Sequence, residues 1–176
     1  MMKKKLFDLP FYQYELNDWQ FKKRGLVNRI DRNNFIRSDV QFFESDREVD
    51  RRGYIKYLDD LISPELNKFC QEEKVSCKMT DAWCVRYRKG DYQNIHNHRS
   101  IGYFGILYFE FDPNIHESTL FLCPWQDPKT DKTLYTGINV KEGTLLIAPA
   151  FLHHFVKPSQ SKKQRSIISF DLLPIK

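Results

Sequence analysis

The chain has 176 residues, enough for one ordinary domain with a real core and short for two, and at 41% apolar and 15% aromatic it is not a disordered chain. The formal charge of +5 is carried largely by short runs, Lys3–Lys5, Lys22-Lys23-Arg24 and Lys162-Lys163, on a chain with 23 acids, which reads as solvated surface and not as a nucleic-acid footprint. No apolar segment approaches the roughly 20 residues that span a bilayer, and four cysteines (70, 77, 84, 123) form no CxxC pair, so we expect a cytoplasmic protein with free thiols and no membrane partner.

Along the chain there is no internal repeat. Residues 1–75 read as a charged lead-in with helices, residues 76–176 as the strand-rich core of the same single domain, 1–176. Within the lead-in, 46–62 places Val49, Tyr54, Leu58 and Ile62 at roughly helical spacing. Ser63 and Pro64 then predict an N-cap and first helical position, opening a second short helix through Cys70. From 81 to 90 Trp83, Val85 and Tyr87 alternate with Cys84, Arg86 and Arg88, then stop at Gly90-Asp91, a turn signal. Further strands are predicted in 101–113, 118–125, 132–140, 143–150, 153–157 and 165–173. Short strands after a helical lead-in predict a mainly β sandwich or barrel with helices packed outside.

The link after the first of these strands carries His96 and His98. In extended backbone, side chains two apart point the same way. His153 and His154 lie in a later strand-like segment. Neutral imidazole is a common metal ligand, and three ligands on neighbouring strands leave coordination positions open. The competing reading is an ordinary polar turn. Arg165 opens the last predicted strand. Facing inward, its planar guanidinium suits a bidentate grip on a carboxylate; facing outward, it is a loop-end cation.

In this order the parts resemble the iron(II)- and 2-oxoglutarate-dependent oxygenases, and more closely a branch found in phages and marine bacteria. The resemblance rests on residues 83–98 (WCVRYRKGDYQNIHNH) and 141–172 (KEGTLLIAPAFLHHFVKPSQSKKQRSIISFDL), with a weaker likeness at 6–16 (LFDLPFYQYEL). Residues 111–140 carry few diagnostic positions. The resemblance implies a double-stranded β-helix, the jelly-roll or cupin-like fold. It implies Fe(II) as metal, 2-oxoglutarate as cosubstrate, and O2. It makes His96 the first metal ligand and His154 the distal one, with His153 as the fallback. Arg165 would hold the distal carboxylate of 2-oxoglutarate, helped by Ser169 and by a tyrosine, Tyr103 or Tyr108. Oxidative decarboxylation to succinate and CO2 would drive hydroxylation of a substrate C–H bond. If the chain is phage-encoded, that reaction would run in the host cytoplasm.

Most of the superfamily has Asp or Glu where His98 stands. We read His98 as the third ligand; the alternatives are that it only contacts a ligand or substrate, or that Asp91 or another acid swings in. A neutral third ligand leaves the ion with more positive charge and keeps Zn or Ni open as occupants. Two other functional classes compete: a three-histidine cupin-like metalloprotein that does not use 2-oxoglutarate, and a jelly-roll binding module without chemistry. The substrate class stays open among a protein side chain, a nucleotide and a metabolite. Of the remaining residues, His116 is expected on a surface loop. Cys84 and Cys123 are expected as buried small apolar groups, Trp83 and Trp125 in core or pocket wall, and Gln93 and Asn94 beside the ligands.

Overall fold

In the computed structural model, residues 9–37, 42–50 and 52–175 are described. Lys3–Lys5 and residues 6–8 of the first resemblance stretch lie outside them. The elements run β1 (Tyr12–Glu15), α1 (Trp19–Val27), β2 (Ile36–Arg37), β3 (Glu44–Ser45), α2 (Ile55–Glu73), β4 (Ser76–Tyr87) and β5 (Gln93–His96). They continue through β6 (Tyr103–Glu110), β7 (Leu120–Leu122), β8 (Tyr135–Gly137), β9 (Thr144–Pro149), β10 (His154–Val156) and β11 (Arg165–Ile175). Each strand predicted from 81 onward has its counterpart. The lead-in also contributes three short strands, too brief for periodicity to reveal.

Two antiparallel sheets form a double-stranded β-helix. One has the order β1-β9-β6-β11-β4-β3-β2, the other β5-β10-β7-β8. The long central strand β11 pairs with β4 on one side and β6 on the other. Alternation along these strands divides the apolar residues into two cores. Ile168, Phe170 and Leu172 of β11, with Cys84, Leu107, Phe109, Leu145 and Ile147, face outward onto the helices. There they meet Leu58, Leu61, Ile62 and Phe69, which α2 aligns at 3.6-residue spacing. Ile167 of β11, with Trp83, Val85, Tyr87, Ile106, Tyr108 and Leu146, faces inward between the sheets. Burying each large side chain is worth about 2 kcal/mol. The two faces also explain Gly105: it stands directly across from Phe170, whose ring occupies the space a Cβ would take.

One helix replaces the predicted pair. Residues 46–50 and 52–54 lie in turns, bends and irregular backbone, and α2 then runs unbroken past Pro64. Proline deprives the carbonyl four residues back, that of Asp60, of its helical donor. The Ser63 hydroxyl donates to that carbonyl at 2.9 Å instead. Ser63 therefore repairs a helix where we expected it to start one. The basic runs are partly paired: Lys23 with Glu142 at 2.8 Å and Lys163 with Asp112 at 3.3 Å. No helix of the described residues is long and apolar enough to cross a membrane.

Candidate metal centre

The second sheet brings the histidines together. β10 runs antiparallel to β5, and in that register His154 lies directly across from His96. The chain then turns, and the His98 and Arg99 amides donate to the Ala150 carbonyl at 3.0 and 3.3 Å, docking the 97–102 turn against the one before β10. His96, His98 and His154 thereby bring ligand atoms within 4.8 Å of one another. The His98 ring is walled by Trp83 and Phe104, with centroids at 5.5 and 4.6 Å. Phe104 also stacks on His154 at 4.5 Å.

In each of the three rings Nδ1 faces an acceptor. That of His96 lies 2.9 Å from the Asn94 carbonyl, that of His154 3.0 Å from the Leu152 carbonyl, and that of His98 2.5 Å from the Asp171 carboxylate. A carbonyl or carboxylate can only accept, so the proton sits on Nδ1 and the neutral ring keeps its lone pair on Nε2. Burial lowers the pKa of His154 far below its ordinary value, and that of His96 more modestly; neighbouring histidines push the same way. Both rings are therefore neutral near pH 7, the form a metal needs. The Gln93 amide reaches His96 Nε2 at 3.1 Å and is itself held by the Tyr87 hydroxyl at 2.6 Å. Gln93 thus meets His96 through its side chain and Asn94 through its carbonyl. His153 stands outside the group, 3.4 Å from Asn97.

Arg165 faces inward, 2% exposed, at the start of β11. Nη2 donates to Thr119 Oγ1 at 3.0 Å, the guanidinium lies 4.9 Å from the Tyr87 ring and 5.8 Å from that of Tyr108, and Nε has no partner. Among the described residues no carboxylate pairs with it. A buried cation so poorly matched is built for an anion that the chain does not supply. It lines a cavity of about 310 Å³, while a second, of about 20 Å³, lies among the three histidines and Ser169. Thr119 lines the second and bonds the arginine of the first, linking the two. The donor set therefore fits a metal ion flanked by a small dicarboxylate.

Two expectations change. Tyr103 faces the helices: its hydroxyl donates to Glu73 at 3.0 Å and its ring packs on Phe69. Of the two candidates, Tyr108 is the one beside Arg165, together with Tyr87, and its oxygen accepts from the Thr119 amide at 3.1 Å. The two are five apart on one strand and so face opposite sides. His116 is buried, not on the surface. Its Nδ1 accepts from the Asp112 amide and its Nε2 donates to the Lys163 carbonyl, because the turn after Asp112 folds back under the strand approaching Arg165. Asp91 is committed elsewhere, to a bidentate pair with Arg37 at 2.6 and 3.1 Å and the Arg88 amide at 2.8 Å. Cys84 is buried, Cys123 half-buried. Trp83 walls the histidine cavity, and the exposed Trp125 lines an outer apolar cavity.

The acid beside the histidines is Asp171, which sequence reading passed over. A signal was present: Arg165, Ile167, Ser169 and Asp171 share one parity. Once Arg165 is taken to face inward, so must Asp171.

Residues 81–171 match the model of the family described as "Putative 2OG-Fe(II) oxygenase". No curated protein matches by sequence. Among solved structures, the chain resembles the viral collagen prolyl hydroxylase of Paramecium bursaria Chlorella virus-1 in complex with 2OG, at 15% identity and a TM-score of 0.64, covering 92% of this chain and 94% of that one. A prolyl-4-hydroxylase of Pseudomonas putida gives 12% identity and 0.63, with 94% and 93% covered. HygX of Streptomyces hygroscopicus, bound to nickel and 2-oxoglutarate, gives 11% and 0.69, with 94% and 83% covered.

Proposed function

The chain belongs to the 2OG-Fe(II) oxygenase family, and from that premise we propose that His96, His98 and His154 hold the Fe(II) through Nε2 and that Arg165 holds the distal carboxylate of 2-oxoglutarate. The protein is an Fe(II)- and 2-oxoglutarate-dependent oxygenase that consumes O2. When bound, iron and 2-oxoglutarate together activate O2 for oxidation of a substrate C–H bond, with loss of CO2 and formation of succinate. The observation that carries the ligand assignment is the shared orientation of the three rings, each Nδ1 spent on an acceptor and each Nε2 left for the ion. Gln93 must leave His96 Nε2 to admit it.

The remaining residues bind, orient and exclude water. Thr119 and the Tyr108 hydroxyl support Arg165, and Ser169 lines the histidine cavity toward which the cosubstrate would extend. Phe104, Phe121 and Trp83 surround the imidazoles with rings. A dry wall strengthens the charge–charge contact between Arg165 and a carboxylate. Four unpaired cysteines support a reducing, cytoplasmic compartment. Ile101 and Phe151, in the turns that follow His98 and precede His154, are exposed apolar side chains near the centre, and a substrate with an apolar surface would meet them there.

The test is an anaerobic titration of the Fe(II)-loaded protein with 2-oxoglutarate, following the visible charge-transfer band of the chelate. Arg165→Gln, which keeps most of the side chain's volume, should weaken 2-oxoglutarate about 10- to 150-fold, the equivalent of roughly 1.5–3 kcal/mol for hydrogen bonds to a charged group. Metal uptake without any 2-oxoglutarate response would reject the cosubstrate site. No metal uptake would reject the centre.

A further inference from the structure

We propose that Asp171 is a positioning residue for the metal centre: it fixes His98 as a ligand through Nε2 and passes a carboxylate's charge to the ion through that ring. The inference rests on the three-histidine reading above. Asp171 lies on the inward row of β11, its side chain 2% exposed. One oxygen receives His98 Nδ1 at 2.5 Å and the other Arg99 Nη2 at 2.5 Å. Gripped from two sides, the carboxylate cannot rotate. The His98 ring is equally confined, between Trp83 and Phe104. Stacking fixes the plane of the ring but does not tell its two nitrogens apart. Only the hydrogen bond does that: a proton held on Nδ1 leaves the lone pair on Nε2, and the opposite tautomer would aim an N–H at the ion.

The three imidazoles are thereby unequal. His96 and His154 donate to neutral carbonyls, and His98 to an anion. An anionic acceptor makes Nε2 the stronger donor and offsets part of the charge that an all-nitrogen ligand set leaves on the ion. Arg99 takes back some of that offset, but its side chain is 35% exposed and water screens it. Nothing in the packing asks for an acid here. An apolar residue would fill this position of the strand without the cost of burying a carboxylate.

The experiment titrates Zn(II) and Co(II) into the full chain by calorimetry. Asp171→Asn keeps the shape and an acceptor oxygen but removes the charge, and should weaken metal binding about 10- to 100-fold. In a His98→Ala background the same substitution should change affinity by less than about two-fold, because the effect travels through that ring. Equal affinity of Asp171→Asn and the parent would overturn the proposal, as would an undiminished effect without His98. A measurement on the unsubstituted protein guards against a variant that fails to fold. In long-range proton–nitrogen spectra of the Zn(II)-loaded protein, with nitrogen-15 in its histidines, His98 should carry its proton on Nδ1, shifted far downfield. A proton on Nε2, with Nδ1 on the metal, would overturn it. If the unsubstituted protein binds no metal, the centre itself fails. If it binds tightly but is indifferent to Asp171, only this proposal fails.

Discussion

Two tyrosines on one strand separate structure from site. Tyr103 ends on Glu73, against the helices, where Tyr12 also donates. Tyr108 ends on the Thr119 amide, beside Arg165. Tyr103→Phe should cost about 1 kcal/mol of stability, the worth of one hydrogen bond, and leave the 2-oxoglutarate affinity unchanged. Tyr108→Phe leaves a buried amide without its acceptor, and should cost about 1–3 kcal/mol and weaken 2-oxoglutarate as well. Denaturant melts and the chelate titration would check both; a loss of affinity in Tyr103→Phe would return that residue to the site. The sequence could not choose between them, because residues 103–109 form a near-continuous apolar run that hides its inward parity. The histidines were legible because their spacing and their order before Arg165 are unusual. Asp171 was not, because a lone acid in an apolar strand points nowhere until the strand's inner face is known.

At the level of elements, pattern located most strands from 81 onward, β4 by alternation and the later ones as β-rich runs between turn signals, but it read β5 (Gln93–His96) as a link. It failed where length failed: β2 and β3 have two residues each, too few to show a period. It also failed at Pro64, where a start signal sits inside a continuous helix. Local chemistry there read Ser63-Pro64 as a cap, but the apolar stripe from Leu58 through Ile62 to Phe69 keeps its phase across the proline, and core burial won. Pro64 is exposed and makes no helical hydrogen bond of its own. Pro64→Ala should therefore stabilise the fold by about 1–3 kcal/mol, read as a higher midpoint of denaturant unfolding. An unchanged or lower midpoint would mean that the packing of α2 needs the bend. Gly105→Ala should act in the other direction. Its new methyl meets the Phe170 ring in the middle of the sheet, and overpacking of this kind costs about 1–3 kcal/mol.

For the whole molecule, the buried histidines tie folding to pH. Burial lowers the pKa of His96, His116 and His154, while the unfolded chain holds each near its ordinary value of about 6.5. Below that value the unfolded chain takes up protons that the folded protein refuses. The unfolded state binds more protons, so stability falls as pH falls, by up to about 1.4 kcal/mol per pH unit for each ring until its folded pKa is reached. The melting temperature of the metal-free protein should accordingly drop between pH 7 and pH 5.5. Carboxylates add little in that window: Glu110 and Asp171 are held below their ordinary values and titrate at lower pH. Asp46 is the exception, pushed up by burial in spite of its bonds to Cys84 and Tyr54, and it acts with the opposite sign. The informative quantity is therefore a difference. His154→Gln removes the most buried of the three rings of this kind and should flatten the slope of melting temperature against pH while leaving the contributions of His96, His116 and Asp46 in place. An identical slope would mean that His154 takes up its proton in the folded protein as readily as in the unfolded chain, which would undercut the burial invoked for this ring and this source of the pH dependence.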